Sequence, residues 1–265
     1  EEYVKDMQAV RHDYILMGLE PEMQESVFEQ QWKHIEIEAR DIDLQESRVS
    51  DFIRDYLTLK TKRIPNKGKV YEEFKKKYSI KLDDFYKTTL PEIKLFASHY
   101  GKLLNPQLEP DVNIRKDLTY IKRLEINVAY PFLVQVYHDY STNVITAADF
   151  VRVLKVVQTF SWRRFVLSLP TGALNKIFMT LYSDVDQTNY VESIEVSLAR
   201  RKGVARFPTD QEISEVFADK DFYNIYPKNR TYLFDRMENH SNSEPVDVEN
   251  PDITIEHIFP QNPDS

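Results

Sequence analysis

The sequence predicts an all-α protein, a multi-helix orthogonal bundle, and three observations lead to this prediction. Only 5 of the 265 residues are glycine, whereas Leu, Glu, Lys and Gln, which favour helices, are abundant. Apolar side chains recur at helical spacing along most of the chain. The length is sufficient for one large domain or two small ones with a sizeable core.

Four stretches in the first half of the chain carry an apolar stripe of the kind that an amphipathic helix presents to a core. Ser50 and Asp51 are placed to cap the first of these helices, and Pro91 and Pro131 suit the first turns of the second and the fourth. The four stripes are Phe52, Ile53, Tyr56 and Leu57; Ile93, Phe96, Ala97, Tyr100 and Leu104; Ile114, Leu118, Ile121 and Leu124; and Phe132, Leu133, Val136, Tyr137 and Tyr140.

Residues 146–167 predict a helix of a different kind, because apolar side chains occupy most of its sides. Thr146 and Asp149 have the spacing of a capping box at its start. A helix that is apolar on most sides is a buried one, so we expect it at the centre of the domain. Arg163 and Arg164, close to its end, are interpreted as surface charge beside a packing residue.

The last part of the chain predicts four shorter helices, a linker and one strand. Thr209 and Glu212 form a second capping-box pattern, and residues 239–251 have the Asn, Ser, Glu, Pro and Asp content of a linker. Apolar Ile253 and Ile255 alternate with polar residues, which indicates a strand. The helices are expected at 174–182, at 190–199, from 210 with Ile213, Val216 and Phe217 inward, and at 230–239.

Charge and composition limit the functions that the whole chain can have. The net charge is -8 and the isoelectric point is near 5.4, which excludes binding to nucleic acid over the entire surface, so such a contact must be local. The absence of cysteine excludes disulfides and thiolate metal sites. No apolar run approaches the roughly 18 to 20 residues of a membrane span. We therefore expect a cytoplasmic protein without a membrane partner.

Two basic clusters are candidates for a local phosphate contact. The denser cluster consists of Arg200, Arg201, Lys202 and Arg206. Its alternative role is structural, because arginines at the C-terminal end of a helix, followed by a glycine, also compensate the helix dipole and cap the helix. The second cluster lies in a stretch broken by proline and glycine, where a solvated loop and a DNA-tracking loop are both possible. It comprises Lys60, Lys62, Arg63, Lys67 and Lys69.

A calcium-binding loop is a further alternative at Asp184–Glu195. Acidic residues stand at its first, third, ninth and twelfth positions. Asn189, in place of glycine at the sixth position, tolerates a left-handed conformation. An Asp- and Asn-rich turn before the helix that starts at Tyr190 explains the same residues without a metal. The sequence contains no Walker loop, Rossmann fingerprint or Ser/His/Asp arrangement.

The most specific motif is the terminal one, in which Glu256 and His257 stand side by side and Pro260 follows. Together with several helical stretches, in this order, it resembles the GmrSD-type modification-dependent restriction endonucleases, and the resemblance spans nearly the whole chain. The stretches that carry it are residues 14–22 (YILMGLEPE), 32–36 (WKHIE), 51–60 (DFIRDYLTLK), 70–75 (VYEEFK), 206–210 (RFPTD) and 255–261 (IEHIFPQ).

The resemblance implies three parts: a ParB-related nucleotide-hydrolysing domain with an Asp-Gly-Gln-Gln-Arg signature, a helical connector, and a His-Asn-His nuclease of ββα-metal form. This sequence contains neither that signature nor the Asn-rich part of the nuclease motif. We therefore expect a fragment: a helical connector domain at residues 1–240, with a possible sub-boundary near 105–113, a linker at 241–251, and the truncated start of the nuclease domain at 252–265.

The resemblance also implies the roles of the terminal residues. His257 would be the general base, since the pKa of imidazole lies near neutral pH, and Glu256 would bind Mg²⁺ or a similar divalent cation through a hard oxygen. Neighbouring residues on a strand point to opposite faces, so the chain must turn there if both serve one site, and Pro260 is consistent with such a turn. Nucleotide would bind only in the missing N-terminal domain.

Two functional hypotheses follow from these patterns. In the first, the chain is the connector of a modification-dependent DNA endonuclease used in phage defence, with modified DNA and its own nucleotide-binding and nuclease domains as partners. One carboxylate and one imidazole do not hold a catalytic metal, so we expect the 265 residues alone to be inactive. In the second, the helical body is a non-catalytic module that binds DNA or protein.

Overall fold

The computed structural model describes residues 9–78, 84–250 and 252–254. The chain divides into two compact units, Glu1–Ala218 and Asp219–Ser265. The predicted domain boundaries at residues 240 and 251 stay predictions.

The first half of the described chain is helical, apart from one small hairpin in which strands β1 and β2 pair antiparallel, with Arg40 opposite Ser47. Its elements are a π-helical segment at Ala9–Leu16, α1 (Pro21–Val27), a π-helical turn at Phe28–Trp32, α2 (Lys33–Glu38), β1 (Arg40–Asp41), β2 (Glu46–Ser47), α3 (Val49–Thr61), α4 (Val70–Lys77), a π-helical turn at Phe85–Thr89, α5 (Leu90–Leu104) and α6 (Val112–Arg123).

The second half consists of helices joined by short turns, so the described residues confirm the predicted all-α class. Its elements are α7 (Tyr130–Ser141), α8 (Ala147–Val166), α9 (Gly172–Leu181), α10 (Tyr190–Ala199), α11 (Asp210–Phe217) and α12 (Pro227–Glu238). Short 3₁₀ turns lie at Lys67–Lys69, Pro106–Leu108, Asn127–Ala129, Tyr182–Asp184 and Gly203–Ala205.

One continuous apolar core joins the helices of the first unit. Helix α7 lies near its centre, because it packs against α3, α5, α8 and α9 and because Phe132, Leu133 and Val136 are completely buried. The predicted stripes of α3, α5, α6 and α7 all face this core, with Leu124 and Tyr140 at its margin. Burial of these side chains is the main favourable contribution to the stability of the unit.

The expectation that α8 is buried on most sides is wrong. Its side chains Phe150, Val153, Leu154, Val157 and Phe160 are buried, but a second face is exposed. Spacings of three and four residues place polar side chains on one side of a helix, and in α8 they form a solvent-facing stripe. The stripe consists of Arg152, Lys155 and Thr159.

The first unit confirms both predicted capping boxes, at Thr146 with Asp149 and at Thr209 with Glu212. In the first box the amide of Asp149 donates to the Thr146 hydroxyl at 3.1 Å, and the Asp149 carboxylate accepts the Thr146 amide at 3.1 Å. The predicted cap at Ser50 is wrong, because α3 begins two residues earlier with Arg48 as its N-cap residue.

Helix α11 also differs from its prediction, since its apolar residues do not point inward. Ile213 is half-buried, while Val216 and Phe217 remain 36% and 37% exposed. The contact with the body is made at the N-terminal end: Phe207 packs on Phe160 with ring centroids 5.2 Å apart, and Asp210 in the first turn forms an ion pair with Arg163. A helix of two turns anchored at its N-terminus leaves its later apolar residues at the surface.

Gly101 allows α5 to approach the end of α2 closely. A Cβ atom at this position would lie 2.6 Å from the backbone carbonyl oxygen of Glu38. We expect Gly101→Ala to lower the free energy of unfolding by about 1 to 3 kcal/mol, because a backbone atom cannot move aside as a side chain can. Gly172→Ala is the matched control, since nothing lies within 4 Å of the added atom. Urea denaturation of both variants measures the difference; equal stabilities would contradict the packing argument.

The second unit is built around α12, whose Tyr232 and Leu233 are buried. The Asn239 side chain holds the chain beyond the helix: its amide donates to the Val246 carbonyl at 2.9 Å and its oxygen accepts the Val246 N–H at 2.7 Å. Asp252 lies in a turn, and no strand forms at Ile253 or Thr254. The remainder of the predicted strand lies outside the described residues.

Candidate functional site

The residues immediately before the C-terminal segment are fastened to the helical body by a buried arginine. Arg164 is 2% exposed, and its guanidinium donates to the carbonyl oxygens of Val204 at 2.7 Å, Pro170 at 2.8 Å and Arg206 at 3.2 Å. Burial lowers the pKa of Arg164, and the charge of Arg206 lowers it further. The interpretation of Arg164 as surface charge is therefore wrong, because the cation is buried and three backbone carbonyls hold it.

Arg206, a predicted nucleic-acid contact, is engaged in a local ion pair. Its guanidinium donates twice to one carboxylate oxygen of Glu212, at 2.7 and 2.9 Å, and the other oxygen of Glu212 accepts the Thr209 amide at 2.9 Å. The same hydrogen bonds lower the pKa of Glu212. Arg206 thus completes the capping box of α11 and is committed to structure.

The other three predicted contact residues lie at the end of α10. Arg200 and Lys202 are exposed, whereas Arg201 keeps 21% of its side chain exposed and lies 3.9 Å from the Asp184 carboxylate. Within the described part of the chain, neither Arg200 nor Lys202 has an acidic partner. Two of the four predicted residues therefore present unpaired charge to solvent.

A basic residue from the first half of the chain joins this region, which sequence spacing did not indicate. Lys62 ends α3 in a left-handed conformation (φ 55°), and its ammonium lies 5.7 Å from the centroid of the Tyr182 ring. Tyr182 and Asp184 belong to one 3₁₀ turn. The two basic clusters, distant in sequence, thus approach the same turn.

The calcium hypothesis is not supported by the geometry of residues 184–195. Asn189 has φ -132° rather than a left-handed conformation, and the Asp186 carboxylate accepts hydrogen bonds from the backbone and the hydroxyl of Thr188. Glu192 and Glu195 turn away to Arg152, at 3.0 and 3.4 Å. These acidic side chains accept hydrogen bonds within a turn or form a surface ion pair, and they do not converge on one point.

Two histidines of the first unit stack on aromatic side chains of the core, whereas His34 is exposed. His99 stacks on Tyr137 with ring centroids 4.9 Å apart, and His138 stacks on Phe96 at 4.9 Å. Burial, followed by the charges of His138 and Lys102, lowers the pKa of His99 to about 3, so its imidazole is neutral. Across the ranges that the structure describes, no group of three His, Asp or Glu side chains could hold a metal ion.

The predicted catalytic pair, Glu256 and His257, lies outside the described residues. The roles assigned to them stay predictions, as does the divalent cation. None of the helices in the described part of the chain combines the length and the apolar composition required to cross a bilayer.

Comparison with known proteins locates the family on the C-terminal segment. Residues 207–265 match the family model described as the C-terminal domain of GmrSD restriction endonucleases. A search of curated proteins and a search of solved structures each returned no match. The matched segment begins at Phe207, directly after the carbonyls that Arg164 holds, and it contains Glu256 and His257. Over this segment the chain is similar to the GmrSD-type restriction endonucleases, the family that its sequence motifs predict.

Proposed function

We propose that this chain is the helical connector of a modification-dependent DNA restriction endonuclease, with the first motif of a His-Asn-His nuclease at its C-terminal end. The observation that carries the proposal is the match of residues 207–265 to the C-terminal domain of GmrSD restriction endonucleases. The sequence Ile255–Gln261 lies inside the matched segment.

The chemistry of the two motif residues supports a hydrolytic role. Phosphodiester hydrolysis requires a deprotonated water aligned with the phosphorus atom. The imidazole of His257 is suited to accept that proton near neutral pH. The Glu256 carboxylate is a hard oxygen donor of the kind that Mg²⁺ prefers. A bound divalent cation would neutralise charge on the phosphate, and Glu256 is the residue of this chain that would help to hold it.

The helical body supports the proposal by fixing the chain at the start of the matched segment. Arg164 holds the carbonyls of Val204 and Arg206, and the ion pair between Arg206 and Glu212 fixes the start of α11. Both contacts lie within the first unit, which ends at Ala218. We infer that the first unit acts as a connector; across its described residues no group of three His, Asp or Glu side chains could hold a metal ion.

The test is a cleavage assay on the full-length protein with Mg²⁺ and nucleotide, offering unmodified DNA and DNA with glucosylated hydroxymethylcytosine. We expect His257→Ala to reduce the cleavage rate by about 10²- to 10⁴-fold, the usual contribution of a general base. Glu256→Gln should raise the Mg²⁺ concentration needed for half-maximal cleavage, because an amide oxygen is a weaker ligand for a hard cation than a carboxylate.

His240→Ala is the matched control, since it removes an exposed histidine outside the motif and should leave the rate unchanged. Faster cleavage of the modified DNA would support the modification-dependent part of the proposal. Cleavage unaffected by His257→Ala, or no cleavage of any DNA, would contradict the nuclease assignment and favour a non-catalytic helical module that binds DNA or protein.

A further inference from the structure

Two basic clusters that are far apart in the sequence approach one turn of the first unit, Tyr182–Asp184. On one side Lys62 places its ammonium 5.7 Å from the centroid of the Tyr182 ring. On the other side Arg201 lies 3.9 Å from the Asp184 carboxylate. The residues next to these two contacts, Arg63 on the first side and Arg200 and Lys202 on the second, are exposed.

Part of the positive charge in this region is neutralised. Lys60 forms an ion pair with Glu92, and the Asp184 carboxylate accepts a hydrogen bond from Ser197 at 2.7 Å in addition to facing Arg201. The Asp186 carboxylate is occupied by Thr188. The cations that keep no acidic partner among the described residues are Lys62, Arg63, Arg200 and Lys202.

We infer that Lys62, Arg63, Arg200 and Lys202 form one surface, the turn-flanking basic surface, that binds the phosphate backbone of double-stranded DNA. The identity of the partner as DNA rests on the proposed function. Exposed lysines and arginines without acidic partners are the side chains that neutralise phosphates and displace their counterions.

Two features favour a phosphate backbone over a chance grouping of surface charge. The chain as a whole is acidic, with a net charge of -8, yet four cations that lack acidic partners in the described chain flank a single turn. Lys62 is half-buried over an aromatic ring, and a partly desolvated ammonium gains more from a nearby anion than one fully in water. Arg206 is excluded from the surface by its ion pair with Glu212.

The test measures binding of the full-length protein to a fluorescent random-sequence duplex of about 20 base pairs in EDTA, as a function of salt. Two double variants remove one side each: Lys62→Gln with Arg63→Gln, and Arg200→Gln with Lys202→Gln. Lys76→Gln with Lys116→Gln is the matched control, because it removes the same charge from exposed positions on α4 and α6. Circular dichroism checks that every variant is folded.

Each test variant is expected to weaken binding at least about tenfold near 0.1 M salt, and to reduce the slope of log K against log salt by about 2, one unit for each lost phosphate contact. The control should retain the wild-type slope. Wild-type slopes in both test variants, equal losses in the control, or no binding of DNA by the wild type would each overturn the inference.

The outcome is separable from that of the nuclease proposal. A protein that binds DNA through the turn-flanking basic surface and cuts no DNA would retain this inference and lose the proposed function. If cutting depends on His257 and the test variants bind DNA like the wild type, the proposed function is retained and this inference is lost.

Discussion

Arg164→Met is expected to lower the free energy of unfolding of the first unit by about 3 to 5 kcal/mol, the range found when one partner of a buried charged contact is removed. The guanidinium satisfies three carbonyl oxygens, those of Pro170, Val204 and Arg206. Methionine retains the aliphatic length of the side chain but donates no hydrogen bond, so the three carbonyls lose their donor at once.

Urea denaturation followed by circular dichroism measures this loss, with the slope of the transition checked for a change in the surface that unfolding exposes. The free energy of unfolding of Arg164→Lys should lie between those of the wild type and Arg164→Met, because a single ammonium cannot reproduce the planar guanidinium that reaches three oxygens. Arg152→Met on the same helix is the control: its ion pairs with Glu192 and Glu195 are exposed, and we expect little change. Equal losses at Arg164 and Arg152 would contradict the role of the buried cation.

Asp139→Ala is expected to lower the free energy of unfolding by a similar amount, about 3 to 5 kcal/mol. The Asp139 carboxylate on α7 is 4% exposed and accepts hydrogen bonds from the hydroxyls of Tyr182 at 2.8 Å and Tyr190 at 2.6 Å and from the amide of Gln135 at 3.0 Å. It therefore joins α7 to the turn after α9 and to the start of α10. Alanine removes the acceptor of the buried Tyr190 hydroxyl and of the part-buried Tyr182 hydroxyl.

The same denaturation experiment separates the contributions to this network. Tyr190→Phe removes one hydrogen bond and should lower the free energy of unfolding by about 1 to 3 kcal/mol, in the range for a hydrogen bond to a charged group. The stability of Asp139→Asn should lie between those of the wild type and Asp139→Ala. Asp43→Ala removes an exposed carboxylate paired with Lys122 and serves as the control. A loss at Asp139 no larger than the loss at Asp43 would show that the network does not stabilise the fold.

The sequence was a reliable guide to features that depend on neighbouring residues. The capping boxes at Thr146 and Thr209 formed as predicted, and α10 spans the predicted residues 190–199. A capping box requires a side chain and a backbone amide three residues apart, and an apolar stripe requires spacings of three or four. Both patterns are complete within one or two helical turns.

Burial of polar residues was not predictable in the same way. The guanidinium of Arg164 and the carbonyl of Val204 lie 40 positions apart in the chain. An arginine near a helix end has the same sequence signature whether it faces solvent or a set of distant carbonyls. The exposed stripe of α8 escaped prediction for a related reason: valine at half-buried positions such as Val151 and Val156 made the helix look apolar on most sides.

The sequence by itself determined the all-α class, several helix starts and the resemblance of the C-terminal segment to the GmrSD-type family, because periodicity, caps and the terminal motif are local patterns. Only the tertiary structure decided which charges are paired. Packing of α3 and α9 against α7 brings Lys62 to Tyr182. The return of the chain after α10 commits Arg206 to Glu212, while Arg200 and Lys202 stay exposed. The physical reason is that the charge of a side chain is fixed by its type, whereas its partners are fixed by which distant segments the core draws together.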